Sequence, residues 1–310
     1  MLTHDDDEFD FNLDDDDQST PRPRFTNPQP PKDARASKKD IDLSQVRIDG
    51  LNGSPLVIFF GPGRIGKTVA LLRFAEYVRG KKGLVITPNE AFGSDPSYAG
   101  HYSDTVLPRF EEMLRFINVA PERTNEVDFL LLDVFRNGNP YCQLLEASGE
   151  HFIKTTPTFT MDHEYPAYLE EIFGNATKKI YLFFLAYNAF NPRDRSIYAQ
   201  HIASFLDSGR VQQDRDKVAI LYTQVDRSKF INKGKPNVDA LRNDFYGNPG
   251  YDPLTTYLRG SQFARIPFIP YSAGRFQNDK KGAAWTKSPD IYSQILWEHL
   301  DRFVRGARWF

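Results

Sequence analysis

The residues best suited to do chemistry lie in one octapeptide, Gly61-Pro-Gly-Arg-Ile-Gly-Lys-Thr68. It has the form G-x-x-x-x-G-K-[ST], in which glycines let a backbone wrap closely round phosphate oxygens and aim several N–H groups at them. Gly61, Gly63, Arg64, Ile65, Gly66, Lys67 and Thr68 are therefore the candidate nucleotide-binding residues of this loop. Lys67 is expected to reach the β- and γ-phosphates, and the Thr68 hydroxyl to ligate Mg²⁺. Arg64 either neutralises phosphate charge in cis or points outward.

A metal-side carboxylate must come from elsewhere in the chain, and two acids qualify. Asp133 closes the apolar run Phe129-Leu-Leu-Leu-Asp133, and Glu146 closes Cys142-Gln-Leu-Leu-Glu146, followed by Ala-Ser-Gly149-Glu150. No histidine pairs with another at ligand spacing, and the single cysteine, Cys142, excludes both an intramolecular disulfide and a Cys-based zinc cluster. Cys142 reads as a small core residue, and His151 as a surface histidine.

Elements must position these groups. Leu56–Phe60 is a continuous apolar run of the kind buried on both faces of a sheet. Thr68–Arg79 places Leu71, Phe74, Ala75 and Val78 on one helical face and meets Gly80 at its end. A strand at Leu84–Thr87 and a helix near Leu107–Phe116 follow. Strands at Val127–Phe135 and Tyr141–Glu146 flank Asn137-Gly138, a strong hairpin signal that makes them antiparallel neighbours. The alternation then resumes with a helix at Pro166–Phe173, a strand at Ile180–Ala186, a helix at Ser196–Leu206 and a strand at Val218–Tyr222. A strand at Ile266–Ile269 is placed at an edge or at a strand start by Pro267. A last helix is expected to open with Ser288 as cap and Pro289 at its first position. Strands alternating with helices argue for an α/β fold with a mostly parallel sheet.

Strand, Asn-Gly turn, strand and then Glu146-x-x-Gly149-Glu150, downstream of the phosphate loop, resembles the Ras-like GTPases of the translation-factor-related class. Thr223-Gln-Val-Asp226, after the strand ending at Tyr222, is similar to that family's guanine motif, and Ser272-Ala273 to its second base loop. The resemblance covers residues 54–275 and a closing helix, and its long stretches and Gly-Glu ending are most similar to bacterial members such as the double-GTPase group. It implies a three-layer Ras-like G domain whose sheet has one antiparallel hairpin strand, over residues 46–310 with insertions, that binds GTP or GDP with Mg²⁺. It further implies that Glu146 acts with Thr68 on the metal, with Asp133 the alternative acid. Thr124, just before the hairpin, matches the family's metal-binding and catalytic threonine by position. Gly149 would meet the last phosphate, and Glu150 would orient attacking water beside the catalytic Lys67. Thr223, Gln224 and Asp226, with Ser272 and Ala273, would hold the base. A carboxylate accepts from guanine's N1–H and N2–H₂, which adenine cannot offer.

Three departures bear on activity. Glu146 stands where the family has Asp, Gln224 where it has Lys, and the first switch carries no fixed pattern. The expected function is a molecular switch with slow Mg²⁺-dependent GTP hydrolysis and a protein effector or regulator. A nucleotide-binding scaffold without turnover, and an ATP-using enzyme with Asp133 on the metal, are the alternatives.

Composition bounds the rest. At 310 residues, 40% hydrophobic, with 25 Phe, 15 Tyr and 3 Trp, the chain can bury a large core. The net charge of −2 hides an asymmetry: residues 1–20 carry −9, residues 21–40 carry +4, and the remainder +3. A nearly neutral body argues against a nucleic-acid partner. Residues 1–45, acidic and then rich in proline, read as a disordered tail, or as a docking peptide around Phe9 and Phe11. No run is long and apolar enough to span a membrane and the first residues do not form a signal peptide, so the expected location is cytoplasmic.

Overall fold

The computed structural model describes residues 48, 50–89, 102–115, 129–155, 159–160, 164–187, 189–279 and 282–306. The chain divides between Asp40 and Ile41, and everything below belongs to the second part. The proposed tail and Thr124 lie outside the described residues.

The centre is a seven-stranded sheet. Its strands are β1 (Leu56–Phe60), β2 (Leu84–Pro88), β3 (Phe129–Arg136), β4 (Asn139–Ala147), β5 (Lys179–Ala186), β6 (Lys217–Thr223) and β9 (Phe268–Pro270). They lie in the order β2-β3-β4-β1-β5-β6-β9. Pairing is parallel from β4 through β9, and only β3 runs against the rest, paired antiparallel to β4 and β2. Every residue of β1 and of β5 is buried, which requires cover on both faces of the sheet. The fold is thus α/β with a mostly parallel sheet.

The β3–β4 turn follows from its residues. Asn137 and Gly138 both take positive φ, 52° and 81°, as a two-residue hairpin turn matched to strand twist demands. Arg136 then pairs with Asn139. β9 occupies an outer edge and begins just after Pro267, which meets both readings of that proline. At the other edge β2 presents Val85, 51% exposed.

Helices α1 (Lys67–Arg79), α2 (Leu107–Arg115), α3 (Ala167–Gly174), α4 (Pro192–Asp207), α5 (Val238–Tyr246), α6 (Asp252–Gly260) and α7 (Ile291–Arg305) complete the body. Two elements beyond the sequence expectation, α5 and α6, fill the connection from β6 to β9. Two small hairpins, β7–β8 (Ile231–Asn232, Lys235–Pro236) and β10–β11 (Gly274–Asp279, Gly282–Lys287), stand apart from the main sheet. The last helix starts later than expected. Its cap residue is Asp290, and Ser288 instead donates its hydroxyl to the Ser272 carbonyl. Among the described residues no helix is long and apolar enough to cross a membrane.

An aromatic core sits at the end of β1, before the loop 61–66, where Phe60 packs on Phe152 at 4.6 Å, Phe205 at 4.9 Å and Phe183 at 5.1 Å between ring centres. Cys142 is buried as expected, and burial pushes its thiol up to about 12.

Candidate functional site

The loop 61–66 joins the end of β1 to the start of α1, so its backbone and the helix N-terminus face one place. Lys67 is 5% exposed, and its Nζ donates to the carbonyls of Gly61 at 2.9 Å and Pro62 at 3.2 Å. Burial pulls its ammonium down to about 8, against the opposing charges of Glu146 and Glu150. Ile65 is buried and anchors the loop, whereas Arg64, at φ 65°, is exposed, the outward of its two readings.

The hairpin brings one of the two candidate acids to this loop. Glu146 pairs in register with Phe59, one residue before β1 ends, and is 3% exposed. Its Oε1 accepts from the Thr68 hydroxyl at 3.0 Å. Asp133 lies farther along the hairpin, opposite Gln143, and accepts from Gln143 Nε2 at 2.8 Å, Asn89 Nδ2 at 2.9 Å and Asn52 Nδ2 at 3.3 Å. Those amides make Asp133 a tie between the hairpin and the segment before β1.

After β4 the chain turns back onto the loop 61–66. A Cβ added at Gly149 would lie 1.8 Å from the Gly63 nitrogen and 2.2 Å from the Pro62 carbonyl carbon, so only glycine fits. Glu150 follows in a short 3₁₀ turn, Gly149–His151. Its carboxylate accepts from the Thr155 backbone N–H at 3.0 Å and from the Thr155 hydroxyl. Sequence reasoning missed Thr155, which carries no pattern of its own. His151 departs from expectation: it is buried, with Nδ1 2.6 Å from the Tyr168 hydroxyl, because the turn points it inward toward α3.

The remaining candidates gather at the ends of β6 and β9. The Thr223 hydroxyl donates to Leu185 O at 3.2 Å and lies 3.5 Å from Ile65 O of the loop 61–66. Gln224 takes a left-handed conformation, φ 58°, and its buried Oε1 has no hydrogen-bond partner among the described residues. Asp226 accepts from Ser272 Oγ at 2.7 Å and from Arg275 Nε at 3.0 Å. The Ala273 carbonyl accepts from Trp285 Nε1 at 3.0 Å and Ser288 N at 3.3 Å. Arg275 and Trp285 were not foreseen, and a cation soon after Ser272-Ala273 was the available hint.

Thr68 and Glu146 supply only oxygen donors, which suits Mg²⁺, a hard cation that takes one or two protein ligands beside phosphates and water. A larger cage is absent: among the described residues no three His, Cys, Asp or Glu side chains are grouped to hold a metal. Compared with known proteins, the chain matches no family model and no curated protein.

Proposed function

We propose that the chain is a GTP-binding switch with a Ras-like G domain and slow Mg²⁺-dependent hydrolysis. The observation that carries this reading is the convergence of four segments at the C-terminal ends of neighbouring strands. The loop after β1, Glu146 to Glu150 after β4, Thr223 to Asp226 after β6 and Ser272-Ala273 after β9 share one rim. Ligands of open α/β sheets bind at that rim.

Each residue then has a task. Lys67 and the loop amides neutralise and orient the phosphates, and Thr68 with Glu146 would hold Mg²⁺. That ion, when bound, offsets charge on the phosphate oxygens as the terminal bond breaks. Gly149, packed on the loop, senses whether a terminal phosphate is present, and Glu150 accepts a hydrogen bond from the attacking water. Ser272 orients Asp226 to accept from guanine. A protein effector or regulator would read the segment after Gly149.

One observation favours the non-hydrolysing scaffold as a second reading: both Glu150 oxygens are taken by Thr155. Binding and single-turnover hydrolysis of GTP beside ATP, with Mg²⁺, test the choice. Preferential binding and cleavage of GTP supports the switch, preferential binding without cleavage the scaffold. Equal binding of ATP and GTP ends the guanine reading.

A further inference from the structure

Asp226 is the residue that reads the base under the proposal above, yet its carboxylate is already engaged. Ser272 donates to one oxygen at 2.7 Å, and Arg275 Nε to the other at 3.0 Å, while Arg275 Nη2 donates to the Asp226 carbonyl. A guanidinium and the N1–H/N2–H₂ edge of guanine are the same kind of donor, adjacent N–H groups in one plane. Arg275 therefore presents to one oxygen of the Asp226 carboxylate the kind of N–H donor that a guanine would bring.

The contact is built by the β10–β11 hairpin. Gly274, at φ 117°, begins it, and a Cβ there would lie 2.1 Å from the Thr286 carbonyl oxygen. Trp285 and Ser288 fasten the Ala273 carbonyl, the Gly274 N–H donates to Ser272 Oγ at 3.1 Å, and Arg275 pairs with Thr286 across the hairpin. The backbone that carries Arg275 is thus fixed on both sides, whereas its side chain is 61% exposed and able to leave.

We propose that Arg275 is a resident competitor for the base site: its guanidinium stands on Asp226 in place of a base edge, and a guanine enters by taking over the carboxylate acceptor that Arg275 now occupies. This rests on the guanine reading and adds to it a residue that sets how tightly the site takes a base.

The test measures dissociation constants of the full chain and of Arg275→Ala and Arg275→Gln for GDP, ADP and tripolyphosphate, which engages the phosphate loop without a base. Removing the competitor should tighten GDP by about two- to fivefold, the scale of an exposed ion pair. Tripolyphosphate and ADP should change by less than about twofold on the same scale. The sign is diagnostic, because deleting a cation near an anionic ligand otherwise weakens it. Unchanged or weaker GDP binding by both variants, in a wild type that prefers GDP to ADP, overturns the proposal and leaves the guanine reading standing. A wild type that binds GDP and ADP equally overturns both. Tighter binding of all three ligands also overturns it, since the effect would not then be one of the base.

Discussion

The two ends of the candidate site are built differently. At the phosphate end the groups are local: the loop, Lys67 and Thr68 span eight residues, and one strand pairing brings Glu146 to them. At the base end Asp226 depends on Ser272 and Arg275, which lie 46 and 49 residues away. The phosphate end is also the more buried, with Lys67 at 5% and Glu146 at 3% exposure, against side-chain values of 17% for Asp226 and 61% for Arg275. Electrostatic contacts weaken with exposure. The phosphate end should therefore dominate affinity, and the base end should set preference.

That contrast can be broken most sharply at Lys67. Lys67→Ala is expected to weaken any nucleotide by roughly a hundredfold or more, about 2.7 kcal/mol, while calorimetry shows a cooperative unfolding transition close to that of the wild type. Retained binding by the folded variant would empty the phosphate end of its main role. Gly149→Ala should come next. The added methyl meets loop backbone that cannot give way, and overpacking of this kind costs about 1–3 kcal/mol, which thermal unfolding will register.

Glu150→Ala sharpens the phosphate end further. Hydrolysis should slow at least tenfold, about 1.4 kcal/mol of barrier, with GTP affinity little changed. An unaltered single-turnover rate would take Glu150 out of the chemistry. At the base end, Asp226→Asn should cost GTP somewhat more than tenfold, about 1.5 kcal/mol and so the lower end of the 1.5–3 kcal/mol typical of charged hydrogen bonds, and leave ATP nearly unaffected. It should also favour xanthosine triphosphate, whose C2 carbonyl accepts from the new amide. If ATP and GTP fell together, Asp226 would be a structural tie to Ser272 and not a reader of bases.

What was legible in the sequence follows the same division. The strand, the loop 61–66 and the helix after it were readable because a continuous apolar run, a glycine pattern and a 3.6-residue stripe are all local signals. The Asn137-Gly138 hairpin was equally plain, and it favours Glu146 over Asp133 beside Thr68. The β10–β11 hairpin was not readable. Its residues mix polar and small types without alternation, and it stands apart from the main sheet. Ser288 followed by Pro289 has the local form of a helix start, but closure of the chain diverts its hydroxyl to Ser272. Arg275 carries no local signal for the same reason: only the folded chain brings it to Asp226.

The ties between α1 and the C-terminal part of the chain also bear on the order in which the molecule can assemble. Tyr271 donates to Ala70 O at 3.1 Å and Arg73 to Ser288 O at 3.0 Å, contacts between residues 201 and 215 positions apart. Closing such long loops comes late in folding, since their entropy must be spent before any contact rewards it. On a ribosome, the phosphate loop emerges long before the residues that complete the opposite rim. A nascent chain therefore carries one half of the candidate site through most of its synthesis, and the other half is in place only once residues 271–288 have emerged and docked on α1.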